Sequence, residues 1–157
     1  MSDPRLRLAA LVALAVLVAD QVTKAIVERA MVLYETIPLL PMFSLTYVRN
    51  TGAAFGVLGA APASVRLPLF LLVTVAAAWA LISMLRRAQP GQRTLVAALG
   101  AILGGAAGNF ICRVRYGEVI DFLDAHWGDL HWPAFNVADS AISVGVVVVL
   151  LFGLRDR

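Results

Sequence analysis

The sequence predicts an all-α membrane protein built on four transmembrane helices. Its 157 residues are 61% hydrophobic and only 15% charged, with a mean hydropathy of +0.84; soluble domains are about 45–50% apolar. Two runs, Leu67 to Leu85 and Thr94 to Cys112, are uncharged for 19 residues each, close to the ~20 that cross about 30 Å of hydrocarbon at ~1.5 Å per residue. Basic residues fall in short stretches between the apolar runs, where Lys and Arg set membrane orientation.

The first span is less regular. Leu8 to Ala19 covers 12 residues and reaches spanning length only by continuing through Asp20 and Lys24 to about Val27. Spans two and three are the uncharged runs at 67–85 and 94–112. Ser140 to Leu154 covers 15 residues and needs Asn136 to Asp139 as its first turn, giving a fourth span over about 137–154. Spans one and four therefore each carry polar groups at one end.

Four spans put Arg5, Arg7, Arg86, Arg87, Arg93, Arg155 and Arg157 on one side, which the positive-inside rule assigns to the cytoplasm. Both termini are then cytoplasmic, and the polar ends of spans one, three and four meet at the outer face. The N-terminus resembles a secretory signal, but Asp20, Gln21 and Lys24 stand where a cleavage region would be. The net charge of +3 does not indicate nucleic acid, because no basic stripe is interleaved with aromatics. Cys112, the single cysteine, cannot form an internal disulfide.

Between spans one and two, Phe43 to Val48 alternates as a strand does and follows Pro38 and Pro41, which predicts a short extended ribbon outside the membrane. "NTGAAFG" (Asn50 to Gly56) suits a tight turn or close approach to a bound group. Val57 to Ala63 reads as a short interfacial helical turn. In span three, Gly100, Gly104 and Gly108 line one face as a helix-packing seam.

The groups able to do chemistry collect at the outer ends. Asp20 and Lys24 (i, i+4) form a local ion pair that makes span one tolerable. Asn109 and Arg113 share a face by the same spacing, and Asn136 and Asp139 share one at i, i+3. Asp121 and Asp139 differ, since each lacks a cation at helical spacing. Brought together in a low-dielectric site, two carboxyl groups divide one proton, and such a pair can activate water against an amide without a metal. Other readings stand beside this one. Asp139 could be a helix-capping acid, and Asp121 a solvated loop residue like Asp124 and Asp129. A Cys112 nucleophile lacks anything to fix a histidine beside it. His126 and His131 have the wrong spacing for a helical metal pair, and with Trp127 and Trp132 they read as an interfacial belt.

Four stretches, "DQVTK" (Asp20 to Lys24), "NTGAAFG", "GNFICRVRYGEVIDFLD" (Gly108 to Asp124) and "FNVADSAI" (Phe135 to Ile142), resemble in order and spacing the blocks of the lipoprotein signal peptidases, also called signal peptidase II. The resemblance covers nearly the whole chain. It implies a bacterial inner-membrane aspartic endopeptidase that removes the signal peptide from diacylglyceryl-modified prolipoproteins, cutting before the lipidated cysteine. It implies a catalytic pair, Asp121 and Asp139, with Asp20, Lys24, Asn50, Gly52, Asn109, Arg113, Asn136 and Ala138 binding substrate or supporting the site. The segment near 43–50 corresponds to the family's small extracytoplasmic β-sheet, and residues 57–64 to a surface helix over the active site. One departure is Cys112, where the family usually has an aspartate. The expectation is one integral-membrane domain over residues 1–157, monomeric, with no cofactor, no metal and no nucleic acid. Its partners are then the prolipoprotein and membrane lipids, with the site on the outer-leaflet side. A proton-conducting protein would need acids within spans two and three, which have none, and a scaffold that only binds lipoproteins would not need its acids at all.

Overall fold

A computed structural model describes residues 3–52 and 61–155. Its elements run α1 (Pro4–Ala30), β1 (Thr36–Leu40), β2 (Phe43–Asn50), α2 (Ala63–Arg87), α3 (Arg93–Tyr116), β3 (Val119–Trp127), β4 (Leu130–His131) and α4 (Val137–Arg155). All four helices are long and apolar enough to cross a bilayer. This is the all-α membrane architecture that hydropathy predicts, with a four-stranded antiparallel sheet in order β1-β2-β3-β4 added to it.

The helices outrun the expected spans by one turn or so. Asp3 accepts a hydrogen bond from the Arg5 N–H at 2.9 Å and Pro4 opens α1 without needing a donor, so the helix starts before the first apolar residue. It then runs 27 residues, to Ala30. Gly117, in the left-handed conformation at φ 75°, ends α3, and its N–H donates to Arg113.

The central helix is α3. It packs against α1, α2 and α4, and ten of its residues are buried, including Leu99, Gly104, Asn109 and Cys112. Its glycine seam works as its spacing predicts. A Cβ on Gly100 would meet the backbone of Ala9, and one on Gly104 would meet that of Ala13, so α1 lies directly on this face. Gly105 admits α4 in the same way, at Ala138. In contrast, α2 buries only Leu85. Leu72, Val73, Val75 and Trp79 are exposed on it, as suits a helix surrounded by lipid.

Among the described residues two apolar clusters fill the interior. One joins Ala9, Leu85, Ala88, Val96 and Leu99 where the α1 N-terminus meets the α2–α3 turn. The other joins Val27, Met31, Tyr47, Ile120 and Phe122, which seats the sheet on the far end of α1. The ribbon predicted at Phe43 to Val48 is β2, paired to β1 on one side and β3 on the other.

One reading needs correction. Asp121 does not lie in a solvated loop: it is in β3, and Asp124 is buried there too. The strand escaped notice because "VIDFLDAHW" is buried on both faces near its start, so no clean alternation marks it. The surface helix expected at 57–64 falls largely outside the described residues; Ala61 and Pro62 are not helical, and Ala63 already opens α2.

Gly104→Val would force a branched side chain against the Ala13 carbonyl. It is expected to lower the thermal midpoint of the detergent-solubilised protein, at an overpacking cost of about 1–3 kcal/mol. Gly153→Ala, with nothing within 4 Å of the new methyl group, should not lower that midpoint, since alanine favours a helix over glycine.

Candidate active site

The site begins with a buried ion pair. Asp20 and Lys24, one turn apart on α1, are 0% and 2% exposed, and the Lys24 ammonium donates to Asp20 Oδ2 at 2.8 Å. Isolated charges so far from water would be costly, so their remaining valences must be filled. Lys24 also donates to Asn109 Oδ1 at 2.9 Å. Asp20 Oδ1 accepts the Ala138 N–H at 3.0 Å, a free donor of the first turn of α4. Gln21 adds a donor to Asp20 Oδ2 at 3.0 Å and another to the Gly108 carbonyl at 3.2 Å. A side chain at Gly108 would collide with the Asp20 carboxylate. The local pair read from spacing thus fastens α1 to both α3 and α4.

From Asn109 the network reaches both acids of interest. Its Oδ1 faces the ammonium, so its amide N–H donates to Asp139 Oδ1, at 2.8 Å. Asn136 donates through Nδ2 to Asn109 Oδ1 at 3.2 Å and to Asp121 Oδ1 at 2.6 Å. Asp121 and Asp139 are therefore joined through two asparagines. Asn50, from β2, donates to Asp121 Oδ2 at 3.0 Å. Asn136 and Asp139 also form a reciprocal cap: the Asp139 N–H donates to Asn136 Oδ1 at 3.0 Å and the Asn136 N–H to Asp139 Oδ2 at 3.2 Å. The helix-capping role of Asp139 is real, and it coexists with the bond to Asn109. Each of the four carboxylate oxygens accepts one such bond, which leaves lone pairs for water or a shared proton.

Burial, and after it the nearby charge of Asp139, together raise the pKa of Asp121 to about 7, against the lowering effect of Asn50 and Asn136. A carboxyl so placed can exchange its proton near neutral pH. Arg113 donates to the Gly52 carbonyl at 3.3 Å and its guanidinium lies over Phe70, 4.7 Å from the ring centroid. The Gly52 N–H donates to Asn50 Oδ1 at 2.9 Å, so Gly52 carries Arg113 and Asn50 on its two backbone groups. A cleft of about 630 Å³, lined by Phe135, Asp139, Ser140, Ile142 and Ser143 among others, opens beside Asp139.

A match to the family model described as signal peptidase (SPase) II covers residues 12–155. The chain belongs to the signal peptidase II family. It is 48% identical over 157 residues to the lipoprotein signal peptidase of Syntrophotalea carbinolica, covering 99% of this chain and 96% of that one. With the lipoprotein signal peptidase of Geobacter sulfurreducens it shares 49% identity over 155 residues, covering 98% and 96%. Two solved bacterial membrane enzymes share the fold: one at TM-score 0.85 and 32% identity, covering 94% of this chain and 88% of its own, the other at 0.84 and 30%, covering 95% and 94%. As a signal peptidase II family member with four apolar helices, the chain is a multi-pass membrane peptidase.

All ten residues singled out from this family's motifs lie in the connected group just described. Several of their neighbours were not legible in advance. Gln21 bonds Asp20 and lies 3.8 Å from the Cys112 sulfur, so the residue standing in for the family's usual aspartate packs against this amide. Asp124 accepts from His131 at 3.0 Å, and the His131 ring stacks on His126 at 4.9 Å between centroids. Trp127 and Trp132 are exposed on that hairpin. Among the described residues no three His, Cys, Asp or Glu side chains are grouped as metal ligands.

Lys24→Met removes the cation while Asp20 stays buried. The loss of unfolding free energy is expected to be about 3–5 kcal/mol, and the double change Asp20→Asn with Lys24→Met should recover part of it. Chemical denaturation in detergent micelles reads both.

Proposed function

We propose that the chain is an aspartic endopeptidase that removes the signal peptide from diacylglyceryl-modified prolipoproteins, cutting before the lipidated cysteine. In this reading it is a single integral-membrane domain over residues 1–157, monomeric, in the bacterial inner membrane, with both termini cytoplasmic and the site at the outer leaflet. The observation that carries the reading is the link between Asp121 and Asp139 through Asn136 and Asn109. Two acids held in one buried network divide a proton between them, the arrangement that amide hydrolysis by water requires.

We assign the shared proton to Asp121, the more buried carboxyl, and the role of base to Asp139. The Asp139 carboxylate takes a proton from water as the oxygen attacks the scissile carbonyl, and Asp121 protonates the carbonyl oxygen. Asp139 then returns its proton to the departing amine as the tetrahedral intermediate collapses, and Asp121 recovers the proton of the gem-diol. Lys24 acts through Asn109 by orienting that amide. Arg113, held by the Gly52 carbonyl and Phe70, offers further N–H donors for substrate carbonyls. The largely apolar cleft beside Asp139 suits the apolar parts of a lipidated peptide whose acyl chains remain in the bilayer.

Asp121→Asn and Asp139→Asn, each purified with an unchanged melting midpoint, are expected to lower cleavage of a lipidated precursor by about 10²–10⁴-fold, the usual contribution of a positioned acid or base. Near wild-type cleavage by either variant would refute the mechanism.

A further inference from the structure

A second polar cluster sits on the opposite face of β2 from the acids, and its centre is Arg49. The guanidinium donates to Glu28 of α1 at 2.8 Å, to Glu118 ahead of β3 at 3.3 Å, and through two nitrogens to the Tyr47 hydroxyl at 3.0 Å. It also lies over the Tyr116 ring at the end of α3, 5.2 Å from its centroid, and the Tyr116 hydroxyl donates to Glu28 at 3.2 Å. One side chain thereby ties α1, α3, β2 and the entry to β3. The planar fork of arginine suits this multiple engagement, and a lysine would be a poor replacement.

Exposed ion pairs contribute little to stability. Arg49 is only a quarter exposed at its side chain, but its position along the strand matters more. Successive strand residues point to opposite faces, so anchoring Tyr47 and Arg49 on one face fixes how Asn50 is aimed on the other. In the β2–β3 register Asn50 pairs with Val119, and Asp121 pairs with Val48. Asn50 is therefore the diagonal, same-face neighbour of Asp121. It is also the last residue of the strand, and its Oδ1 accepts the Gly52 N–H.

We propose that Arg49 is a positioning residue of the hydrolytic site: its clasp on α1, α3 and Glu118 holds Asn50 against Asp121. The proposal rests on the paired-acid reading above, and it adds a residue that touches neither acid. A loosened clasp leaves β2 paired and the fold intact, but it lengthens the Asn50 donation, which aims the Asp121 carboxyl and stabilises the carboxylate that Asp121 becomes as it protonates the scissile carbonyl.

The test compares Arg49→Lys, Glu28→Gln, Asn50→Ala and the double variant Arg49→Lys with Asn50→Ala, as full chains in detergent or liposomes, cutting a diacylglyceryl-modified precursor peptide. Arg49→Lys is expected to lower kcat about tenfold, within the range of coupled neighbours, with KM changed less than about twofold. The high-pH limb of its activity profile should move to higher pH, because Asp121 then holds its proton longer. In the Asn50→Ala background the same substitution should have no further effect. Glu28→Gln, which keeps the arginine, should show a smaller change in the same direction. Undiminished kcat in Arg49→Lys, an undiminished effect without Asn50, or a change confined to the melting midpoint would overturn the proposal. Asp121→Asn, run alongside, separates the two ideas: if it cleaves, the paired-acid reading fails, and if it is inert while Arg49→Lys is normal, only the clasp fails.

Discussion

The Lys24 ammonium, buried against Asp20 where α1 meets α3 and α4, is the charge around which the site is arranged. It fixes more than an ion pair. Because Asn109 Oδ1 must face the ammonium, its N–H side must face Asp139. Because Asn136 Oδ1 accepts the Asp139 N–H, its Nδ2 must face Asn109 and Asp121. The cation thus sets the orientation of Asn109 and the Asp139 N–H that of Asn136, and both amides present donors toward carboxyl groups. The polarity of the network follows from its starting charge, and a reversed amide at either asparagine would set acceptors against acceptors.

This arrangement explains why such different elements supply the two acids. Asp139 needs a helix start, where its carboxylate can accept the Asn136 N–H and complete a cap. Asp121 needs a strand, where Asn50 can reach it from the side. The sheet is brought to the helix ends by the apolar cluster around Val27, Tyr47 and Phe122, and backbone bonds of Phe122 and Leu123 with Phe135 carry the chain from β3 into α4. The glycine seam then lets α1 close on α3, since bulk at Gly104 or Gly108 would hold Asp20 away from its partners.

The spans were legible because a bilayer demands long uncharged runs, and Leu67 to Leu85 or Thr94 to Cys112 fit little else. The candidate site residues come from motifs, and the Asp20–Lys24 ion pair was legible through spacing alone. What remained hidden depended on distance along the chain or on burial. Glu28 and Glu118 stand 21 and 69 positions from Arg49, so no local pattern predicts that cluster. β3 was hidden because its acids sit within an apolar strand, and alternation fails where both faces are covered. Asp124 read as solvated for the same reason, although it is buried and bonded to His131.

Electrostatic coupling between Asp121 and Asp139 is the centre of the proposed mechanism, and the carboxyl carbon of Asp121, followed by ¹³C NMR against pH in the intact protein and in Asp139→Asn, measures that coupling. Burial and the neighbouring negative charge both disfavour ionisation, so in the intact protein the midpoint should lie near 7, well above the ordinary 3.8. With the Asp139 charge removed it should fall to lower pH while staying above the ordinary value, since burial persists. A midpoint near the ordinary carboxylate value in the intact protein, or one unmoved by Asp139→Asn, would contradict the account.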